Sequence, residues 1–359
     1  MGNVLEHPEL FGSNTAWRQI ATHVIVPMCF EDAGEAIGHP WIIMHLSGQL
    51  KFTADTMDLA AARGHLDMVR WLHANCTEGC TVQAMNGAAA GGHLDVVRWL
   101  HENRTEGCTT DAMDRAAANG HLDMVQWLHG NRREGCTTYA MDRAAENGHL
   151  GVVRWLHENR TEGCTTYAMD WAAEVGHLDM VQWLHRNRTE GCTTYAMNWA
   201  AESGHLDVVQ WLSANRTEGC TENAADWAAA GRHLNVVRWL LANRREGCTG
   251  RAMDWAARGG HLDVVQWLSA NGQDCTTAAI DGAAARGHLD VVRWLSANNY
   301  RCTVRAQNLA AAGGHLEVLQ WLSANRTEGR TELAQSLAAA GGHLGVVQWL
   351  ISDQLANRA

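Results

Sequence analysis

The fold of this chain is decided by one nine-residue phrase, Gly-His-Leu-Gly-Val-Val-Arg-Trp-Leu at residues 148–156. The phrase returns with small changes every 28 residues, or every 27 residues at two of the steps. A period of this size indicates a stack of small repeated units, each of which contacts only its neighbours, and not one globular core. The histidine of the phrase recurs as His65, His93, His121, His149, His177, His205, His233, His261, His288, His315 and His343.

Each repeat predicts two short helices. Thr137 stands where an N-cap is needed, since its hydroxyl can accept a hydrogen bond from an orphan backbone N–H. A first helix is expected over about 138–147 and should end at Gly148, the residue best able to take a left-handed conformation. A second helix is expected over about 150–158, with its apolar residues at helical spacing. Two helices and two tight turns fill the period, so the predicted fold class is all-α: a solenoid of helix-turn-helix repeats with little or no β-hairpin.

The phrase also divides the chain into segments. Residues 1–37 do not fit the repeat and are expected to be an N-terminal cap segment. Residues 38–52 are a worn copy of the phrase and predict a degenerate first half-repeat. Residues 53–351 hold eleven tandem repeats, and residues 352–359 form a polar C-terminal tail.

Composition narrows the function classes. The net charge of −11 disfavours binding to phosphate backbones, which needs a basic surface. No apolar run is long enough to cross a membrane. The N-terminus shows no secretory signal, so we expect a cytoplasmic protein, with the nucleus as an open alternative.

Nine of the eleven cysteines share one repeat position. Stacked helices lie roughly 8–10 Å apart, too far for disulfides between neighbouring copies, and we expect reduced thiols that serve as small buried apolar groups.

Three repeated columns are predicted to be structural. The repeated histidines lie too far apart to converge on one metal ion, so no metal and no cofactor are predicted. We expect them to be largely buried and neutral, and to hydrogen-bond between repeats, with a repeated aspartate (Asp142 in the typical repeat) as the candidate acceptor. The tryptophan of the second helix, Trp155 in the phrase, is expected to pack against the neighbouring repeat because it never varies.

At residues 139–153 the sequence Tyr-Ala-Met-Asp-Arg-Ala-Ala-Glu-Asn-Gly-His-Leu-Gly-Val-Val resembles the ankyrin repeat. The family's pattern is a Thr-Pro-Leu-His start followed by x-Ala-Ala-x-x-Gly-His-Leu-Glu-Val-Val, and the resemblance extends over 53–351 and partly over 38–52. This chain departs from the pattern in two ways: the tetrapeptide has become Tyr-Ala-Met-Asp, and each unit is about five residues short. The resemblance implies a protein-binding solenoid without catalysis, whose hairpin fingers are reduced.

One column breaks the repeat, at the residue that precedes the paired alanines. It lies about 200° from Met141 on a helical wheel, hence opposite the core and toward the concave side. Tryptophan and arginine are enriched at binding hot spots; the competing interpretation is that the indoles fill gaps between adjacent first helices. The candidate partner-binding residues in and beside this column are Arg115, Arg143, Glu146, Trp171, Glu174, Trp199, Glu202, Trp227, Trp255 and Arg258.

The leading hypothesis is a scaffold that binds a partner protein or peptide in the concave groove. The flanking Glu146, Glu174 and Glu202 predict a partner with exposed Lys or Arg, held partly by cation–π contacts. We expect no nucleic acid, membrane or small-molecule substrate as partner. No nucleophile elbow, phosphate loop or zinc-binding helix is present, so no enzyme is predicted. The alternative is a structural spacer, or a recognition module of a larger assembly, without specificity in the groove.

Overall fold

The computed structural model describes residues 52–356, which form α-helices joined by short turns and contain no strand. The predicted cap segment 1–37 and nearly all of the predicted half-repeat 38–52 lie outside the described residues. The prediction of an all-α, helix-turn-helix fold is confirmed. The last helix runs to Ala356, so the segment expected to be a polar tail begins as helix.

The chain divides into two compact units between Ala168 and Met169. The described residues of each unit form helix pairs, in which a first helix is followed by a second helix. The first helices and second helices alternate as α1 Ala54–Ala62, α2 Leu66–Asn75, α3 Val82–Ala90, α4 Leu94–Asn103, α5 Asp111–Ala118, α6 Leu122–Asn131, α7 Thr138–Glu146, α8 Leu150–Asn159, α9 Tyr167–Val175, α10 Leu178–Asn187, α11 Thr194–Glu202, α12 Leu206–Asn215, α13 Asn223–Ala230, α14 Leu234–Asn243, α15 Gly250–Arg258, α16 Leu262–Ala270, α17 Ala278–Arg286, α18 Leu289–Ala297, α19 Val304–Ala312, α20 Leu316–Asn325, α21 Leu333–Ala340 and α22 Leu344–Ala356.

The ends of the helices follow from local chemistry. The hydroxyl of Thr137 accepts the N–H of Tyr139 at 3.1 Å, which satisfies one of the orphan donors at the start of α7. After α7 the chain turns at Gly148, whose φ of +76° is a left-handed conformation that favours glycine. The N–H of His149 then donates to the carbonyl of Ala144 at 2.8 Å. The predicted N-cap and the predicted glycine stop are both confirmed.

The core of a repeat lies between its two helices and the first helices of its neighbours. Met141 and the paired alanines Ala144 and Ala145 are at most 2% exposed, as are Val152 and Leu156 of the second helix. First helices pack closely side by side within each unit, whereas second helices touch one another much less. The small alanine side chains permit this close approach, and bring one face of every first helix to the surface.

The repeated aspartate holds neighbouring repeats in register, and the prediction that it pairs with the histidines is wrong. Asp142 accepts the N–H and the hydroxyl of Thr165, the N-cap of the following repeat, at 2.8 Å each. The backbone N–H of the cap residue has no partner within its own helix, and the carboxylate of the preceding repeat supplies the acceptor. The same pair of bonds joins Asp58 to Thr81, Asp114 to Thr137, Asp170 to Thr193, Asp226 to Thr249, Asp254 to Thr276 and Asp281 to Thr303.

The repeated histidines do bridge adjacent repeats, but through the backbone. Nε2 of His261 lies 3.0 Å from the carbonyl oxygen of Ala230, at the end of the first helix of the preceding repeat, and His343 and Ala312 make the same contact. The last carbonyl groups of a helix lack partners within the helix, and the imidazole N–H supplies a donor for one of them. The rings are half-buried, whereas the sequence predicted that they would be largely buried. Burial lowers the pKa of His261, against the opposing effect of its bond to Ala230.

The second-helix tryptophans pack between repeats, as predicted. In the first unit the ring of Trp99 meets His73 of the preceding repeat edge-on, with centroids 5.2 Å apart. In the second unit Trp211 and His185 repeat this geometry at the same distance. These indoles are half-buried and are used by the scaffold.

The ten cysteines within residues 52–356 are free thiols. Burial has the largest effect on the pKa values of the cysteines that share one repeat position. It raises the pKa of Cys192 to about 11. Such a thiol stays protonated near neutral pH and is a poor nucleophile. None of the described helices has the length and apolar character that a bilayer crossing requires.

Candidate functional site

The candidate site is, within each of the two units, the exposed side of the first helices, which we call the first-helix face of that unit. Two residues of each first helix, one turn apart, project from it opposite the buried methionine; in α11 these are Tyr195 and Trp199. Residues three and four apart are neighbours on a helix surface. The variable column identified from the sequence therefore forms half of this face.

The four tryptophans of the column lie in the second unit, on α9, α11, α13 and α15, and all four are half-buried. Trp199 stacks on Tyr195, with ring centroids 4.7 Å apart and an interplanar angle of 20°. The guanidinium of Arg251 lies over the ring of Trp255, 5.9 Å from its centroid. Each indole thus has part of its surface packed on the protein and part open. The ring contacts of Trp199 and Trp255 are made with residues of their own helices, α11 and α15.

Sequence reasoning missed a second aromatic column, formed by Tyr139, Tyr167 and Tyr195. Their side chains are 44–48% exposed, among the most exposed large side chains of the first helices. The sequence does contain a pattern that identifies this column. These tyrosines stand four residues before the variable column, and their position also changes from repeat to repeat. Tyr and Trp offer large contact areas at little entropic cost, so Tyr139 and Tyr167 belong to the candidate site of the first unit and Tyr195 to that of the second.

In the first unit the structure brings Arg115, Arg143 and Glu146 together around an open groove of 590 Å³. Arg143 donates to Glu146 at 2.6 Å, and its guanidinium lies 4.9 Å from the ring centroid of Tyr139. Arg115 pairs with Asp111 at 3.4 Å, across two half-exposed side chains. The charge of Glu146 is therefore matched within its own helix, which weakens its predicted attraction for a basic partner.

In the second unit, Glu174, Glu202 and Arg258 are exposed on the first-helix face. Arg258 shares with Trp255 a groove of 480 Å³ that crosses α15, α17 and α19. Arg286 and Arg305 also line it, and neither was singled out from the sequence. The repeat pattern did not identify these arginines because they occupy different repeat positions. They come together only when three first helices are stacked.

No cluster of three or more metal-ligating side chains is found in the part of the chain that the structure describes. The functional groups of the first-helix face are indoles, phenols, guanidinium groups and carboxylates. This chemistry suits non-covalent recognition of another chain.

Comparison with protein families agrees with the repeat architecture. A model of three tandem ankyrin repeats matches residues 113–194, 141–226 and 197–279, and a second ankyrin repeat model matches residues 57–101, 87–129 and 275–323. Together these matches extend over most of the chain. None of the curated proteins matches it.

Among solved structures, the chain is similar to the pentatricopeptide repeat protein PPR10 in complex with an 18-nt psaJ RNA element, with a TM-score of 0.45 and 10% identity. The alignment covers 97% of this chain, which spans 62% of that chain's length. A variant of the same protein with three cysteines changed to serine, bound to the same RNA element, gives the same values. Similarity at this level does not bear on function.

Proposed function

Because the chain belongs to the ankyrin repeat family, we propose that it is a protein-interaction module that binds a segment of a partner protein along the first-helix face of the second unit. Ankyrin repeats are generally protein-interaction modules, and the family is typically non-enzymatic. The observation that carries the proposal is the run of four half-buried tryptophans at one repeat position: Trp171, Trp199, Trp227 and Trp255.

These tryptophans are suited to be anchors. A scaffold role alone requires no indole there, since Gly282 and Leu309 occupy the same repeat position in the following first helices. Half-burial holds each ring in place, so that little conformational entropy is lost when a partner covers its open part. Aromatic side chains in this state are typical binding hot spots.

The neighbouring charges indicate what the partner carries near the first two anchors. Glu174 and Glu202 stand three residues after Trp171 and Trp199 and are exposed. A Lys or Arg side chain of the partner that lies over an indole would also reach these carboxylates, and would combine cation–π and ionic attraction. Nucleic acids and membranes are not proposed as partners, because the chain as a whole is acidic.

The test compares proteins captured by the wild type and by a variant with all four tryptophans changed to alanine. A matched control changes Leu344, Ile351 and Leu355 to alanine, which removes exposed apolar side chains from α22 and leaves the tryptophans intact. We expect the tryptophan variant to lose partners that the control retains. Circular dichroism must show that both variants keep their helices. An unchanged partner list would refute the proposal and favour a structural spacer.

A second measurement addresses the spacer directly. If the indoles only fill gaps, small polar quenchers should not reach them. Single-tryptophan difference spectra, from wild type and Trp227→Phe, report the quenching of one ring by acrylamide. We expect Trp227 to be quenched in the free protein and protected when a captured partner is bound.

A further inference from the structure

The groove that crosses α15, α17 and α19 has a composition unlike the rest of the first-helix face. We name it the Gly282 groove, and define it by Trp255, Arg258, Gly282, Arg286, Arg305 and Leu309. From its charges we propose that it binds an acidic segment of the partner protein. This inference rests on the proposed function, and states what the partner carries at this end of the face.

The groove exists because one side chain is absent. At the repeat position where α15 carries Trp255 and α19 carries Leu309, the intervening α17 carries Gly282. A Cβ atom at Gly282 would lie 3.1 Å from Cβ of Arg258, so the glycine lets the stem of this arginine lie against the backbone of α17. Glycine inside a helix costs about 1 kcal/mol relative to alanine. Such a residue in the middle of a regular helix is therefore better explained by the space that it leaves.

The arginines of the groove are not held in salt bridges within residues 52–356; Arg305 exerts only a longer-range attraction on the buried Asp281, which opposes the larger effect of burial on the pKa of that carboxyl. Arg258, Arg286 and Arg305 are exposed, and none of them forms a salt bridge with a described residue. Most loop arginines of the scaffold differ, because they pair with a glutamate two residues later, as Arg244 does with Glu246. Three exposed guanidinium groups around one groove thus keep their hydrogen-bonding capacity for a ligand.

The acidic groups beneath the groove are already used. Asp254 and Asp281 are 7% exposed, and each carboxylate accepts two hydrogen bonds from the threonine cap of the next repeat. Burial is the largest influence on both, and raises their pKa values. An incoming chain therefore meets the arginines at the surface and not these carboxylates.

Charge complementarity selects the occupant. Guanidinium groups bind carboxylates through paired hydrogen bonds, so glutamate or aspartate side chains fit the rim. The open part of Trp255 and the side chain of Leu309 offer apolar surface on either side. First helices stacked about 10 Å apart would be crossed by about six to nine residues of extended chain. The net charge of −11 disfavours an RNA strand as the occupant.

Binding of three labelled peptides to the intact chain tests the proposal by fluorescence anisotropy. The peptides share length and apolar residues, and carry Glu, Gln or Lys at the charged positions. We expect the Glu peptide to bind at least about tenfold more tightly than the others, and its binding to weaken as salt increases. Equal affinity for the three peptides, or preference for Lys, would overturn the proposal. So would tighter binding of an oligouridine of equal charge.

Two variants locate the site. Changing Arg258, Arg286 and Arg305 together to alanine should weaken binding of the Glu peptide at least about tenfold. Gly282→Trp should do the same by filling the groove while keeping its charge. The matched control changes Arg186, Arg293 and Arg301 to alanine, which removes the same charge from exposed positions outside the groove. If the control loses as much affinity as the groove variant, the inference is wrong.

A further variant, with Trp171, Trp199 and Trp227 changed to alanine, separates this inference from the proposed function. Trp171, Trp199 and Trp227 lie outside the Gly282 groove. If their substitution removes captured partners while the wild type shows no preference for the Glu peptide, only the acidic occupant is refuted. If their substitution leaves the partner list unchanged, the proposed function fails.

Discussion

The carboxylate of Asp170 accepts two hydrogen bonds from Thr193, one from its backbone N–H and one from its hydroxyl, each 2.8 Å long. The oxygen of the same hydroxyl accepts the N–H of Tyr195 at 3.1 Å. One threonine thus caps its own helix and ties it to the buried aspartate of the preceding repeat. The stability of a repeat array is approximately the sum of the stabilities of its repeats and of the interfaces between neighbours, so contacts of this kind contribute to it directly.

We predict that Asp170→Ala destabilises the protein by about 1–3 kcal/mol, because it leaves the N–H of Thr193 without its acceptor. Asp170→Asn should cost much less, since Asn198 accepts the N–H of Thr221 and donates from its Nδ2 to the hydroxyl oxygen of that threonine, at 3.0 Å each. Urea denaturation of the intact chain measures both effects, and hydrogen exchange at the Thr193 amide localises them. Equal losses for the two variants would contradict this role of the aspartate.

The same pair of proteins makes a pH prediction. Burial, the largest influence, raises the pKa of Asp170 above its ordinary value, against the opposing bonds from Thr193. The folded protein then holds this proton more tightly than the unfolded chain, whose Asp pKa is about 3.9. The stabilisation is complete below that value and is lost as the pH rises through the folded pKa. The stability of wild type relative to Asp170→Asn should therefore fall as the pH rises from about 4 toward neutrality. A difference in stability between the two proteins that does not change with pH would refute this prediction.

His261 should act in the opposite direction. Burial lowers its pKa, so the folded state favours the neutral ring. The stabilisation is present above the unfolded value of about 6.5 and is lost as the pH falls through the folded pKa. We expect an NMR titration midpoint below that of a free histidine. His261→Gln keeps a donor for the carbonyl of Ala230 and should remove this part of the acid sensitivity. A midpoint at or above the ordinary value would contradict the packing of this ring against the preceding repeat.

A pair of glycines separates backbone strain from contact between repeats. Gly260 has a φ of +76°, and a Cβ atom there would lie 2.6 Å from Nδ1 of His288 in the next repeat. Gly342 occupies the same repeat position with a φ of +73°, but nothing lies within 4 Å of its Cβ position. Both substitutions to alanine should cost about 1 kcal/mol or more from strain. We expect Gly260→Ala to lower the melting temperature further, and equal shifts would show that the imidazole yields freely.

Gln307 occupies the repeat position of the buried methionines. It is 3% exposed, and its Oε1 has no hydrogen-bond partner among the described residues. Burial of an unsatisfied polar group costs about 1–3 kcal/mol. We predict that Gln307→Met raises the free energy of unfolding by an amount in this range, because Met253 fills the equivalent site. Gln320→Met, on the exposed side of α20, should change it little. A loss of stability in Gln307→Met would show that the amide has a role.

The sequence by itself determined the elements that depend on near neighbours in the chain. Thr137 caps α7 and Gly148 ends it because a hydroxyl and a positive φ act within a few residues. The apolar period predicted which side of each helix is buried, and the length of the repeat predicted that strands would be absent from the part now described. The variable column was also found from the sequence, because it changes directly beside the paired alanines, which repeat.

The tertiary structure decided which residues of adjoining repeats meet. Asp170 could have faced the imidazole or the threonine cap, and only the distance and rotation between neighbouring repeats chose the threonine. The same geometry brings Arg258, Arg286 and Arg305 of three stacked repeats to one groove, whereas Arg143 pairs with Glu146 within its own helix. A period predicts the face on which a side chain lies. Its partners depend on how successive helices are stacked, which is a property of packing that the pattern along one helix does not contain.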